Sequence, residues 1–275
     1  MRKINILLVT CLLLTVSLRA QDEPAKEPKQ YFPQAGSFGI GIDGGPIFDF
    51  IGNMFNGTAN NGLNFNDNRL YFRYFLTDQS AVRAVISIGN TKDVNRHYVQ
   101  DDAALAADPN STKQLEDMHI SKTRSYELRL GYQMFRDIWR LRGFFGGDIG
   151  YSYARTRDTY QYGNSMTALN PNPSTALFGN AAVRNLEVNN GPVNSIFVGL
   201  FTGAEYYIMP NVALGGEFGF AYGGSWTGQT NAKQELMVES RHIEQDVAIT
   251  PKSKSFTADT MFPYTYGSLY FVIHF

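Results

Sequence analysis

His119-Ile-Ser121 sets an imidazole one residue from a hydroxyl, the smallest unit from which a base-activated nucleophile can be built. Pairs with that spacing arise often by chance, so this one reads as a loop histidine beside a loop serine, and no catalytic residue is assigned. His97, His242 and His274 are scattered along the chain without the spacing of metal ligands, so no metal and no cofactor is expected. The densest chemistry is ionic. Asp43, Arg73, Arg83, Glu127, Arg129, Arg142, Asp148, Glu205 and Glu217 each lie within a run of alternating apolar residues, always in the polar phase. Held on one buried face, those four guanidinium groups and five carboxylates must pair with one another.

The elements that would hold them follow from the same alternation. Phe38, Ile40 and Ile42 oppose Gly39, Gly41 and Asp43; Leu70, Phe72, Tyr74 and Leu76 oppose Tyr71, Arg73 and Phe75. The rhythm recurs in Val82 to Ile88, Tyr126 to Met134, Leu141 to Tyr153, Ile196 to Tyr206 and Val212 to Tyr222. It ends on Leu269, Phe271, Ile273 and Phe275 against Ser268, Tyr270, Val272 and His274. Eight strands are predicted, with every one of the nine charges on the face opposite the apolar set. Composition agrees, since 26 Gly, 16 Tyr and 20 Phe suit sheets and tight bends more than helix packing.

The connections alternate strictly. Three are short, at 77–80, 136–140 and 209–211, and four are long and polar, at 44–68, 91–122, 157–192 and 225–261. Tight turns on one side and long loops on the other are the plan of an up-and-down membrane barrel, in which a cation on the lipid face costs about 2–4 kcal/mol at the midplane. Tyr126, Tyr132, Tyr151, Tyr153, Tyr206 and Tyr222 stand where interfacial aromatic girdles belong.

Residues 1–20 read as a signal peptide: Arg2 and Lys3 precede an apolar run from Ile4 to Leu18, too short to span a bilayer, and Ala20 supplies a small residue for cleavage. Cleavage there would remove Cys11, the only cysteine, and leave 25 acidic residues in excess of the basic ones by four, which offers nothing to nucleic acid. Residues 21–35, with three prolines, read as a flexible periplasmic leader, and 36–275 as the barrel.

On these residues the chain resembles the small eight-stranded outer-membrane barrels, the OmpA transmembrane domain and OmpX group, and more closely the short outer-membrane β-barrel proteins common in Bacteroidetes. The resemblance covers residues 36–275 and rests on the signal peptide, the eight alternating segments, the three short turns and the closing Phe271-Val-Ile-His-Phe275. It implies an all-β fold, an eight-stranded antiparallel up-and-down transmembrane β-barrel, integral to the outer membrane of a Gram-negative bacterium. It also implies that Leu269, Phe271, Ile273 and Phe275 form the signal read by the barrel-assembly machinery, although Tyr270 stands where the family pattern has Gly. Asp259-Thr260-Met261 fits the glycosylation pattern of Bacteroidetes. His119-Ile-Ser121 is similar to the His-x-Ser of outer-membrane lipid A deacylases, but its flanks differ.

Eight strands leave an interior filled by side chains, so the lumen is expected to be a salt-bridged plug with no open pore. Arg129 is expected to pair with acids near Glu127, and Arg142 with Asp148. The favoured reading is a non-enzymatic barrel whose loops, chiefly 44–68 and 225–261, contact a partner or ligand. Its companions are membrane lipid and lipopolysaccharide, with an outer-membrane protein as a further partner. The alternatives are an accessory subunit of an outer-membrane assembly or transport complex, a narrow pore, or a lipid-modifying enzyme. In the first long loop, Pro46 precedes Ile47, Phe48, Phe50, Ile51, Met54 and Phe55 at helical spacing, a candidate contact helix. Residues around 235–252 read as an extended hairpin, and Asp101 to Ala107 as either a short helix or a solvated turn.

Overall fold

Alternating residues make strands, and strands with one apolar face must bury or solvate that face in a suitable medium. The computed structural model describes residues 31–44, 69–177, 182–259 and 268–275. The signal segment, most of the leader, the candidate helix around Phe48 and the glycosylation candidate Thr260 lie outside the described residues.

Twelve strands are described: β1 (Phe38–Asp43), β2 (Arg69–Thr77), β3 (Ser80–Gln100), β4 (Gln114–Ile138), β5 (Leu141–Gln161), β6 (Val183–Asn189), β7 (Val193–Met209), β8 (Val212–Thr227), β9 (Thr230–Val238), β10 (Arg241–Thr250), β11 (Ser253–Asp259) and β12 (Ser268–His274). Eight of them close a ring, β1-β2-β3-β4-β5-β7-β8-β12 and back to β1, with every pairing antiparallel. These are the eight strands that the alternation predicts. Closure is made by β1 against β12, with Ile40 opposite Ile273 and Ile42 opposite Phe271. The closing rung is backbone: Phe275 N–H donates to Phe38 O at 2.8 Å, and Phe38 N–H to Phe275 O at 3.1 Å.

The short turns fit their residues. Pro210 and Asn211 join β7 to β8, with Asn211 at φ 64°, a position that Asn tolerates better than most side chains. The β9–β10 turn carries Glu239 and Ser240 at φ 48° and 65°, the left-handed pair that matches the twist of a two-residue hairpin.

The long connections differ from the loops that their polarity suggests. β3 and β4 stay paired past the barrel, from Ile88 opposite Tyr126 up to Gln100 opposite Gln114. The twelve residues from Gly89 to Gln100 therefore rise about 40 Å along the strand. At the tip stands a six-residue helix, α1 (Asp102–Ala107), capped by Asp101, whose carboxylate accepts from Ala104 N–H at 3.1 Å. β5 likewise continues, exchanging β7 as its neighbour for β6. The sheet thus forks, the lower part closing as the barrel and the upper part continuing as a six-stranded blade, β3-β4-β5-β6-β9-β10. The stretch 235–252 is the expected hairpin and forms the outer edge of that blade.

The leader reading fails at its last residues. Tyr31 and Phe32 pack into the floor of the barrel: Phe32 meets the Tyr207 ring edge-on at 4.9 Å, and Asn211 N–H donates to Tyr31 O at 3.0 Å. Aromatic surface beside an apolar floor outweighs the local proline and charge signal. Deleting Phe275 should remove the closing rung, so the variant is expected to be exported normally yet to yield little of the heat-modifiable folded band on gels.

Candidate functional site

Inside the ring, the inward residues of opposite walls meet across the bore. Near the floor, Arg142 lies on β5 and is gripped by Asp137 through Nε at 2.6 Å and Nη2 at 2.8 Å. Its guanidinium also stacks over Phe32 at 4.6 Å and Phe135 at 4.9 Å. Above it, Arg73 on β2 donates to Glu205 on β7 at 2.7 Å, and Glu205 also accepts from Tyr270 at 2.7 Å and Tyr207 at 3.3 Å. Next, Arg83 on β3 reaches Glu217 on β8 at 2.5 Å and Asp148 on β5 at 2.7 Å, its guanidinium 3.3 Å over the Phe201 ring. At the outer end, Arg129 donates to Glu127 at 2.5 Å, and Arg69 lies 3.9 Å from the same carboxylate.

β2 and β7 are diametrically opposed in an eight-membered ring, as are β3 and β8. Arg73–Glu205 and Arg83–Glu217 are therefore straps across the full bore. The pairing differs in part from the expected one: Arg142 takes Asp137, its cross-strand partner at the end of β4, and Asp148 goes to Arg83. Alternation gives each residue's face but not its height against a non-neighbouring strand. Asp43 lies on β1, on the lumen face. Arg69, Asp137, Tyr207 and Tyr270 complete the network and were missed, Arg69 because it precedes the first apolar residue of its strand. Gln133, fully buried, is the weak place, since its amide meets no partner among the described residues.

The outer wall has the opposite character. Ile40, Leu70, Leu130, Phe145, Leu200 and Phe218 point outward and are exposed. Thr202, whose hydroxyl also faces out, donates to Phe144 O at 2.9 Å, as a polar group in hydrocarbon must. Leu269, Ile273 and Phe275 are exposed on this wall and Phe271 is half-buried, in the phase expected of them.

Two further places gather polar groups. At the outer mouth of the bore, Arg69, Ser87, Thr91, Thr123, Ser125 and Glu127 line a polar cup of about 400 Å³. On the blade, Asp117 is fully buried and accepts from Gly163 N–H at 2.9 Å, Thr175 Oγ1 at 2.6 Å and Ala176 N–H at 2.9 Å. Arg184 pairs with Glu235 at 2.6 Å beneath the Tyr162 ring. These contacts hold the segment following β5 against the blade and give it a core of its own. His119 hydrogen-bonds Asp158 at 3.0 Å and stacks on Tyr160 at 4.8 Å, so its hydrogen bond goes to that carboxylate and not to Ser121.

A closed antiparallel ring with ionic straps inside and an apolar wall outside defines the class: a membrane-spanning β-barrel of the outer-membrane type. Among solved structures it is similar to a major outer membrane protein from Thermus thermophilus, at 11% identity over 88% of this chain and 100% of that one, with a TM-score of 0.35. It is also similar to the outer membrane protein OprG from Pseudomonas aeruginosa, at 12% identity over 89% and 98% of the two chains, with a TM-score of 0.28. No protein-family model and no curated protein matches the chain.

Replacing Arg83 with Met should strand Glu217 and Asp148 and lower stability by about 3–5 kcal/mol, read as a fall in the urea midpoint in vesicles. Converting Asp148 and Glu217 to Leu in the same chain should recover most of that loss. On the blade, hydrogen bonds from Arg157 and Lys233 hold the carboxyls of Glu187 and Glu244 below their usual 4.5. Such groups contribute stability that is complete above 4.5 and is lost as pH falls through their depressed values. Amide protection factors in β6, β9 and β10, with the intrinsic pH dependence of exchange divided out, should therefore be unchanged between pH 7 and 5 and fall only at more acidic pH.

Proposed function

We propose that this barrel works by what its blade binds outside the membrane, with the lumen serving as a sealed anchor. A single feature carries the reading. β10 is paired with β9 alone among the described residues, so the blade ends in a ten-residue edge strand with every side chain exposed or half-exposed. An unprotected edge is a template for another strand, because its outward N–H and C=O groups lack ladder partners. Ile243 and Ile249 stand exposed beside it and add apolar area for a docking partner. The partner this favours is a protein that presents an extended segment. Of the two segments expected to make contact, only the one around β10 is described.

The lumen supports the same view from the other side. Two straps across the bore, each with an Arg among aromatic rings, leave no wide path for solute. A photo-crosslinking residue in place of Gln245 on intact cells should give one discrete adduct, and adding Ile243→Lys and Ile249→Lys should abolish it while the folded band persists. If no adduct forms and the purified protein instead shows large, stable conductance steps in planar bilayers, the sealed-anchor reading is wrong. An adduct with a second outer-membrane barrel would assign the chain to a larger membrane complex.

A further inference from the structure

On the outward face of β3, β4 and β5, the row formed by Ile88, Tyr126 and Tyr153 is the apolar row of the wall next to two rows of cations. One step outward along the strands, Arg124 lies opposite Arg155. A further step brings Lys92 opposite Lys122 and Lys122 opposite Arg157. All five cations are exposed and share the face that, lower down, meets lipid. Three like-charged cross-strand pairs in adjoining rows are destabilising in an isolated sheet, where opposite charges are the favoured arrangement. The described acid at this patch is Glu187, which takes Arg157. Lys92, Lys122 and Arg124 have no ion pair among the described residues, and Arg155 reaches only the Asn189 amide, at 3.5 Å.

We propose that this patch binds the phosphates of a multiply phosphorylated glycolipid in the outer leaflet, with its acyl chains against the wall below. The placement is what that ligand needs. Phosphates lie at the level where hydrocarbon gives way to water, and the aromatic row Tyr126–Tyr153, its ring centroids 6.0 Å apart, marks that boundary on these strands. Arg124 and Arg155, side by side, present two planar forks to phosphate oxygens, while Lys92 and Lys122 add point charges next to them. Cross-strand partners stand about 5 Å apart and same-face neighbours along a strand about 7 Å apart, so one disaccharide carrying two phosphates can engage both rows. The site is separate from the β10 edge and does not depend on what that edge binds.

The test uses the full-length protein in zwitterionic vesicles doped with bisphosphorylated lipid A, with dephosphorylated lipid A, or with phosphatidylglycerol at matched charge. Thermal unfolding and native mass spectrometry read binding. Bisphosphorylated lipid A should stabilise the wild type and stay bound, and dephosphorylated lipid A should do neither. Lys122→Gln/Arg124→Gln/Arg155→Gln should weaken binding by roughly a hundredfold, at about fivefold per charge. The same triple variant should unfold at a higher temperature than the wild type in undoped vesicles, because the like-charge repulsion is gone. A control carrying Arg241→Gln, Lys252→Gln and Lys254→Gln changes net charge equally and should keep full binding. Equal stabilisation by phosphatidylglycerol, equal binding by the patch variant, or loss of binding in the control would each overturn the proposal.

Discussion

Everything in this fold depends on the need to put ionic groups somewhere that is neither hydrocarbon nor water. The wall must be apolar, so the other phase of each strand receives the charges, and an eight-stranded ring is too narrow to hydrate them. Pairing across the bore satisfies both conditions. Arginine suits the task because one guanidinium can grip two carboxylates from different strands, as Arg83 grips Glu217 and Asp148, while its flat face rests on Phe201. Lysine would offer one point charge and no face to stack. The straps tie opposite walls together, so they also oppose flattening or opening of the ring.

The blade takes its rigidity from the same strands. β3, β4 and β5 run without a break from wall to blade, so no hinge separates the membrane anchor from the part that meets solvent. β5 gives up β7 and takes β6 where the ring ends, and the hydrogen-bonded ladder passes from closure to extension at that fork. The buried carboxylate of Asp117 and the Arg184–Glu235 pair then fasten a covering segment to the blade. An edge strand presented on such a support loses little conformational freedom on binding.

What could be read from the sequence was what one half-buried face dictates. Eight strands, their phases and the inward placement of nine charges all follow from a period of two with apolar residues on one side. Of the upper strands only the 235–252 hairpin showed itself; the outer reaches of β3, β4 and β5 did not, because both of their faces meet water or a thin cover and no apolar period survives. Lys92 to Gln100 alternates nothing that hydropathy can detect, yet it is strand throughout. Strap partners were illegible for another reason. Which strands lie across the bore follows from closure, but the height at which Arg83 meets Glu217 depends on shear and on local register. Tyr31 and Phe32 were hidden by their prolines and charged neighbours, since only the finished floor of the barrel gives those rings a place to go.

A single strand displays the full gradient. Outward positions of β4 run Met134, Tyr132, Leu130, Leu128 and Tyr126, then change to Arg124 and Lys122, while the inward positions above Phe135 of the floor keep Gln133, Gly131, Arg129, Glu127 and Ser125, with no large apolar side chain among them. The inward phase is indifferent to depth because side chains or a polar cup surround it at every level. The outward phase changes because its surroundings do, and the change falls between Tyr126 and Arg124. Neighbouring strands change in the same register, at Ile88 to Asn90 on β3 and Tyr153 to Arg155 on β5. Three adjoining strands that all pass from apolar to cationic on the outward face record a change of the medium outside the wall, and a soluble barrel, with water along its entire outside, would have no reason to switch at all.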